Sequence, residues 1–163
     1  AVVGRLLTGH GKTLSLAESC TGGLITERLT DMPGSSRFLN CAVVAYSNAS
    51  KVELLGVDAE VLNKYGAVSE EAALAMAQGM LKLSGSDLAL SVTGIAGPEG
   101  GTEEKPVGLV YVALCAKGAG VEHYTRKLSL GNRVNRSEVR WRTANQALNM
   151  VRLYLLEPAA LKV

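Results

Sequence analysis

A chain of 163 residues can bury a real core within one domain, and its 47% apolar content excludes a disordered segment. Aromatic residues make up only 4%, so that core must be built from Ala, Val, Leu and Ile. A net charge of +2 with mixed signs argues against a nucleic-acid binder relying on a dense basic patch, and no apolar run is long enough to span a membrane.

Val2–Thr8 carries a short helical stripe (Val2, Val3, Leu6, Leu7) that Gly9 and Gly11 end. Leu14–Ala17 reads as a strand, followed by Ala17-Glu18-Ser19-Cys20-Thr21-Gly22-Gly23 and a helix near Leu24–Leu29. A strand, a small polar turn and a helix start would aim free N–H groups at whatever sits above the turn. The hydroxyls of Ser19 and Thr21 equally suit plain helix caps. Pro33-Gly34-Ser35-Ser36 is a turn, and Cys41–Tyr46 is the next strand. A helix is expected from near Ala49, with Lys51 in its first turn. A cation there opposes the helix dipole, so Lys51 is a poor structural choice and a candidate functional one; a solvated surface Lys is the plain alternative.

Asp58–Tyr65 predicts a short helix closed by Gly66. Ser69 caps the next, whose Ala73, Leu74, Ala77, Met80 and Leu81 form one apolar face. Asp87–Thr93 reads as a buried strand feeding a loop rich in glycine and proline, Gly94 to Gly108. Such a loop suits holding a phosphate or an oxyanion through backbone N–H groups, and a simple long connection is the alternative. Val107–Cys115 and Val121–Leu128 are strands joined at Lys117-Gly118-Ala119-Gly120, a hairpin signal. Gly131 to Arg136 is a loop with two arginines, Arg133 and Arg136, and Ser137 is the expected cap of a long final helix. The alternation predicts an α/β domain, three layers with a mixed sheet covered by helices, spanning residues 1–163.

Cys20, Cys41 and Cys115 are far apart, which is no disulfide framework and fits a reducing, cytoplasmic setting. His10 and His123 are isolated, so no metal site and no Ser-His-Asp set is expected. No Walker loop is present. A Ser activated by a neutral Lys remains; it needs neither His nor metal, and it suits amide hydrolysis. Spacing leaves open which Ser partners Lys51.

The motifs Ala17 to Gly23, Pro33 to Ser36, Tyr46-Ser47-Asn48 with Lys51, Gly66 to Ser69, and Thr93 to Pro98 with Lys105-Pro106-Val107-Gly108 resemble the CinA C-terminal domain family. It is also called the PncC family of nicotinamide-nucleotide amidohydrolases. The resemblance runs from about Leu14 to Leu156. It implies hydrolysis of the carboxamide of nicotinamide mononucleotide to nicotinate mononucleotide and ammonia, in bacterial pyridine-nucleotide salvage. It implies a Ser–Lys dyad, carried to Ser36 as nucleophile and Lys51 as base, with Ser19 the rival nucleophile. Ser19, Tyr46 and Thr93 match pocket positions, and Gly94, Ala96 and Gly97 match the substrate loop. An Arg, either Arg133 or Arg136, is expected to meet the substrate. The resemblance implies a small nucleotide as the partner; no cofactor is expected, and charge and apolar patterning predict no nucleic-acid or membrane partner. The chain resembles the stand-alone form, with room for a homodimer. Ala49 stands where the family commonly has Glu. The alternative function is an inactive nucleotide-binding or regulatory module related to competence- and damage-inducible CinA.

Overall fold

The computed structural model describes residues 1–118, 120–131 and 133–161. The elements run α1 (Val2–Gly9), β1 (Leu14–Glu18), α2 (Leu24–Thr30), a 3-10 turn (Ser35–Arg37), β2 (Leu39–Val44), α3 (Asn48–Leu55), α4 (Ala59–Tyr65) and α5 (Glu70–Ser84). They continue with β3 (Leu88–Gly94), β4 (Leu109–Lys117), β5 (Val121–Ser129), α6 (Arg136–Leu156) and a closing 3-10 turn (Pro158–Leu161). The five strands form one sheet in the order β2-β1-β3-β4-β5. β1 pairs in parallel with both β2 and β3, whereas β4 and β5 add antiparallel, giving the mixed α/β sheet expected.

The two faces of the sheet are built from residues of different size. On one face Leu14, Leu16, Leu88, Leu90, Val110, Val112 and Leu114 pack beneath α1, α2 and α6. Each such side chain contributes roughly 1.5–3 kcal/mol by leaving water. On the other face Ala17, Ala89, Ala113 and Cys115 meet α5, with α3 and α4 outside it. Small side chains there let α5 lie close to the strands. α5 is also pressed onto α3: a Cβ on Gly79 would sit 1.8 Å from the Leu55 carbonyl oxygen.

Side-chain caps explain most helix starts. Ser47, Asp58 and Ser69 accept from backbone N–H groups of α3, α4 and α5. α6 starts earlier than the sequence suggests: Asn135, not Ser137, is its cap, accepting from Glu138 N at 2.9 Å. Arg136 is therefore the first helical residue. β2 begins and ends two residues earlier than expected, so Tyr46 lies beyond the strand. β4 begins at Leu109, because Gly108 turns with φ +87°. The hairpin residue Ala119 and the loop residue Asn132 lie outside the described residues.

Candidate active site

The connection from β1 leads outward to β2, and the one from β2 crosses back to β3 on the other side of β1. At such a reversal the loops leaving the carboxyl ends of neighbouring strands diverge and open a crevice. A cavity of about 250 Å³ lies there. Ser19 and Cys20 line it from the end of β1, Tyr46 and Lys51 from beyond β2, and Thr93 to Gly97 from β3.

Glu18, the last residue of β1, is buried and shapes the turn that follows. Its Oε2 accepts from Gly23 N (3.0 Å) and Ile25 N (3.1 Å). Its Oε1 accepts from Thr26 N (2.8 Å) and Thr26 Oγ1 (2.6 Å). The expected display of free N–H groups at the start of α2 is corrected here: an internal carboxylate consumes them. The turn itself closes when Gly22 N donates to the Ser19 carbonyl at 3.0 Å.

Lys51 is the fourth residue of α3, in its first turn as expected, and is 1% exposed. Its Nζ lies 2.9 Å from the Ala45 carbonyl, 3.2 Å from the Tyr46 carbonyl and 3.2 Å from Ser19 Oγ. No carboxylate pairs with it; among the described residues the one ion pair joins Arg142 and Glu138. Burial without a counter-charge holds the Lys51 pKa below its ordinary value. Neighbouring Cys20 opposes this shift without cancelling it, its own thiol being pushed up to about 12 by burial. A neutral amine has two N–H donors and one lone pair. As an ammonium, Nζ donates to all three oxygens; once deprotonated, its two N–H bonds serve the carbonyls and its lone pair faces the Ser19 hydroxyl proton.

Ser36 is not at this site. It is exposed in the 3-10 turn before β2, beside Phe38, whose carbonyl accepts from Leu14 N at the start of β1. Lys51 follows the opposite end of β2. Six strand residues at about 3.3 Å each put roughly 20 Å between the two ends. The pairing of Ser36 with Lys51 is thus corrected by strand direction: Ser36 and Lys51 flank β2, whereas Ser19 leaves β1 on Lys51's side.

The other expected residues divide. Thr93 is buried, and its Oγ1 donates to the Ala67 carbonyl (2.7 Å), tying β3 to the loop before α5. Gly94, Ala96 and Gly97 line the cavity. Among the described residues the backbone N–H groups of Ala96 and Gly97 donate to no protein acceptor. Tyr46 is 58% exposed at the mouth. Of the two arginines, Arg136 enters the site: it donates to the Gly97 carbonyl (2.9 Å) and to Tyr46 Oη (2.6 Å). Arg133 is exposed and does not line the cavity. Arg136 also borders a second, larger groove of about 650 Å³ with Pro98, Val107, Val134 and Ser137. The far end of the glycine loop is fastened where Lys105 Nζ donates to the Tyr65 carbonyl (2.6 Å).

Two contributors were missed from the sequence. Glu18 had a readable signal, an acid at a strand end just before a Gly-Gly helix start. Arg140, which donates to the Thr21 carbonyl from Nε (3.1 Å) and Nη2 (2.8 Å), had none. Among the described residues no three His, Cys, Asp or Glu side chains gather to hold a metal ion, and no helix is long and apolar enough to cross a membrane.

Comparison with known proteins shows the family and the fold. The family described as the CinA C-terminal domain matches residues 1–155. A CinA-like protein of Geotalea daltonii is 54% identical over 155 residues, 95% of this chain and 36% of that protein. A CinA-like protein of Endomicrobium trichonymphae is 51% identical over 156 residues, 96% of this chain and 35% of that protein. The chain therefore spans little more than a third of these relatives. Among solved structures, the competence/damage inducible protein CihA from Agrobacterium tumefaciens superposes with a TM-score of 0.87 at 41% identity, covering 96% of this chain and 97% of that one. The competence damage-inducible protein A from Klebsiella pneumoniae gives 0.89 at 33% identity, covering 96% and 94%.

Proposed function

This chain belongs to the CinA C-terminal domain family, and from that premise we propose that it hydrolyses the carboxamide of nicotinamide mononucleotide with Ser19 as nucleophile and Lys51 as base. The observation that carries the reading is the buried Lys51 amine, with no carboxylate partner among the described residues, held by the Ala45 and Tyr46 carbonyls with Ser19 Oγ at 3.2 Å.

In this reading neutral Lys51 takes the Ser19 proton as Oγ bonds to the amide carbon. The resulting oxyanion has the Ala96 and Gly97 N–H groups as candidate donors. The C–N bond then breaks, and the Lys51 ammonium returns the proton to the leaving ammonia. Water, deprotonated by Lys51, attacks the acyl-Ser19 ester, freeing the carboxylic acid and restoring Ser19. Substrate amide plus water gives acid plus ammonia, with no redox change and no external reagent. Arg136, between the catalytic cavity and the larger groove, is suited to the anionic portion of a nucleotide.

The test is ammonia release from nicotinamide mononucleotide by the wild type, Ser19→Ala and Ser36→Ala. Ser19→Ala is expected to fall to background while Ser36→Ala keeps the wild-type rate. Undiminished turnover in Ser19→Ala overturns the nucleophile assignment. Tight nucleotide binding with no wild-type turnover replaces the enzyme with a binding module.

A further inference from the structure

We propose that Arg140 is a positioning residue that fixes Ser19 for attack by clamping the Thr21–Gly22 peptide plane from α6. The proposal rests on the reading of Ser19 as nucleophile. The Thr21 carbonyl oxygen receives Arg140 Nε at 3.1 Å and Nη2 at 2.8 Å, and also Leu24 N at 3.2 Å. That carbonyl is rigidly coplanar with the Gly22 N–H. The same N–H donates to the Ser19 carbonyl at 3.0 Å. Arg140 thus reaches Ser19 through a single peptide plane.

Beyond the backbone bonds to Leu24 N and the Ser19 carbonyl, no other side chain among the described residues restrains that plane. Gly22 adopts φ +59°, so no Cβ resists its rotation. The Thr21 hydroxyl is buried and has no partner among the described residues, so the side chain supplies no tether. Glu18 holds the turn only from Gly23 onward. Among the described residues Arg140 is the one side chain that donates to a carbonyl of the turn between Ser19 and Gly23. Two donors of one rigid guanidinium converge on that single oxygen, which a flexible ammonium does not reproduce. One helical turn earlier, Arg136 grips the Gly97 carbonyl and Tyr46 Oη. The start of α6 therefore connects the nucleophile turn, the Tyr46 segment and the glycine loop.

The experiment compares Arg140→Met and Arg140→Lys with Arg142→Met, an exposed position on the same helix, in the intact chain. The measurements are steady-state kinetics on nicotinamide mononucleotide, pH profiles, thermal melting, and amide exchange at Gly22. Misplacing a nucleophile by a fraction of an ångström lowers kcat by about 10–100-fold with KM within about twofold. That is the expectation for Arg140→Met, with partial recovery in Arg140→Lys. The acid limb of the profile should stay in place, since Arg140 makes no contact with Lys51. The proposal is overturned if Arg140→Met turns over like Arg142→Met, or if its loss appears in KM. Gly22 exchange needs no chemistry: it should quicken in Arg140→Met, and unchanged exchange overturns the clamp even if the amide substrate is wrong. Wild-type inactivity with faster Gly22 exchange in the variant would instead refute the activity and leave the clamp standing.

Discussion

Lys51 is a buried amine with two carbonyl acceptors, one hydroxyl and no carboxylate around it. Desolvation favours its neutral form, so at any pH below its ordinary pKa of 10.5 more of it is free base than in a solvated lysine. The sign for activity follows. A base works only when unprotonated, so kcat/KM should fall on the acid side, about tenfold per pH unit below the folded pKa. The midpoint should lie below 10.5 because the shift is downward. A pH–rate profile with chemistry rate-limiting checks this; a flat acid side would count against Lys51 as base. Cys20, adjoining Ser19, does not compete as nucleophile, because with its pKa near 12 the thiolate is scarce at neutral pH. Lys51 was legible in the sequence as a misplaced cation at a helix start. Its partner was not. The family resemblance carried the nucleophile to Ser36, but the parallel register that sets Glu18 opposite Val44 is a long-range fact, and it brings Ser19 beside Lys51.

Elements were legible where local chemistry settles them. α4 and α5 begin at Asp58 and Ser69 caps and end at glycines, and they run close to the expected bounds. The start of α6 was misread because Asn135 and Ser137 both offer capping side chains, and tertiary packing decides between them. The α3–α5 contact left no trace in the sequence beyond an unexplained Gly79 inside a helix. Helix propensity alone makes Gly79→Ala favourable by about 1 kcal/mol. The 1.8 Å approach of its new Cβ to the Leu55 carbonyl, which belongs to backbone and cannot swing away, reverses the sign. Gly79→Ala should destabilise the chain by about 1–3 kcal/mol in urea unfolding, as overpacked cores do. A stabilised variant would show that α3 shifts freely and that the contact is slack. Because α3 carries Lys51, activity should suffer along with stability.

At the scale of the molecule, the mixed sheet and its helical layers could be read from alternating apolar runs. The division into a leucine and valine face and an alanine face could not, since both look uniformly apolar in one dimension. Strand order was likewise hidden, and with it the crevice, because the reversal beside β1 depends on which neighbours pair. The sequence marked the site's materials, the glycine loop, Ser19, Lys51 and Arg136, without assembling them. Glu18 gives the assembled crevice one further property. Its carboxylate neutralises the positive end of α2 from within, and burial biases the Lys51 amine towards its neutral form. Amide hydrolysis turns a neutral group into an anion at that spot. Arg136 is the cation that lines the cavity, and it is already engaged with the Gly97 carbonyl and Tyr46 Oη at the mouth, so the newborn carboxylate beside Ser19 meets little uncommitted positive charge and product release is favoured over retention. Nicotinate mononucleotide should bind more weakly than nicotinamide mononucleotide in calorimetry and inhibit turnover poorly. Equal or tighter binding of the acid would mean that a charge elsewhere in the crevice recaptures what Glu18 and Lys51 let go.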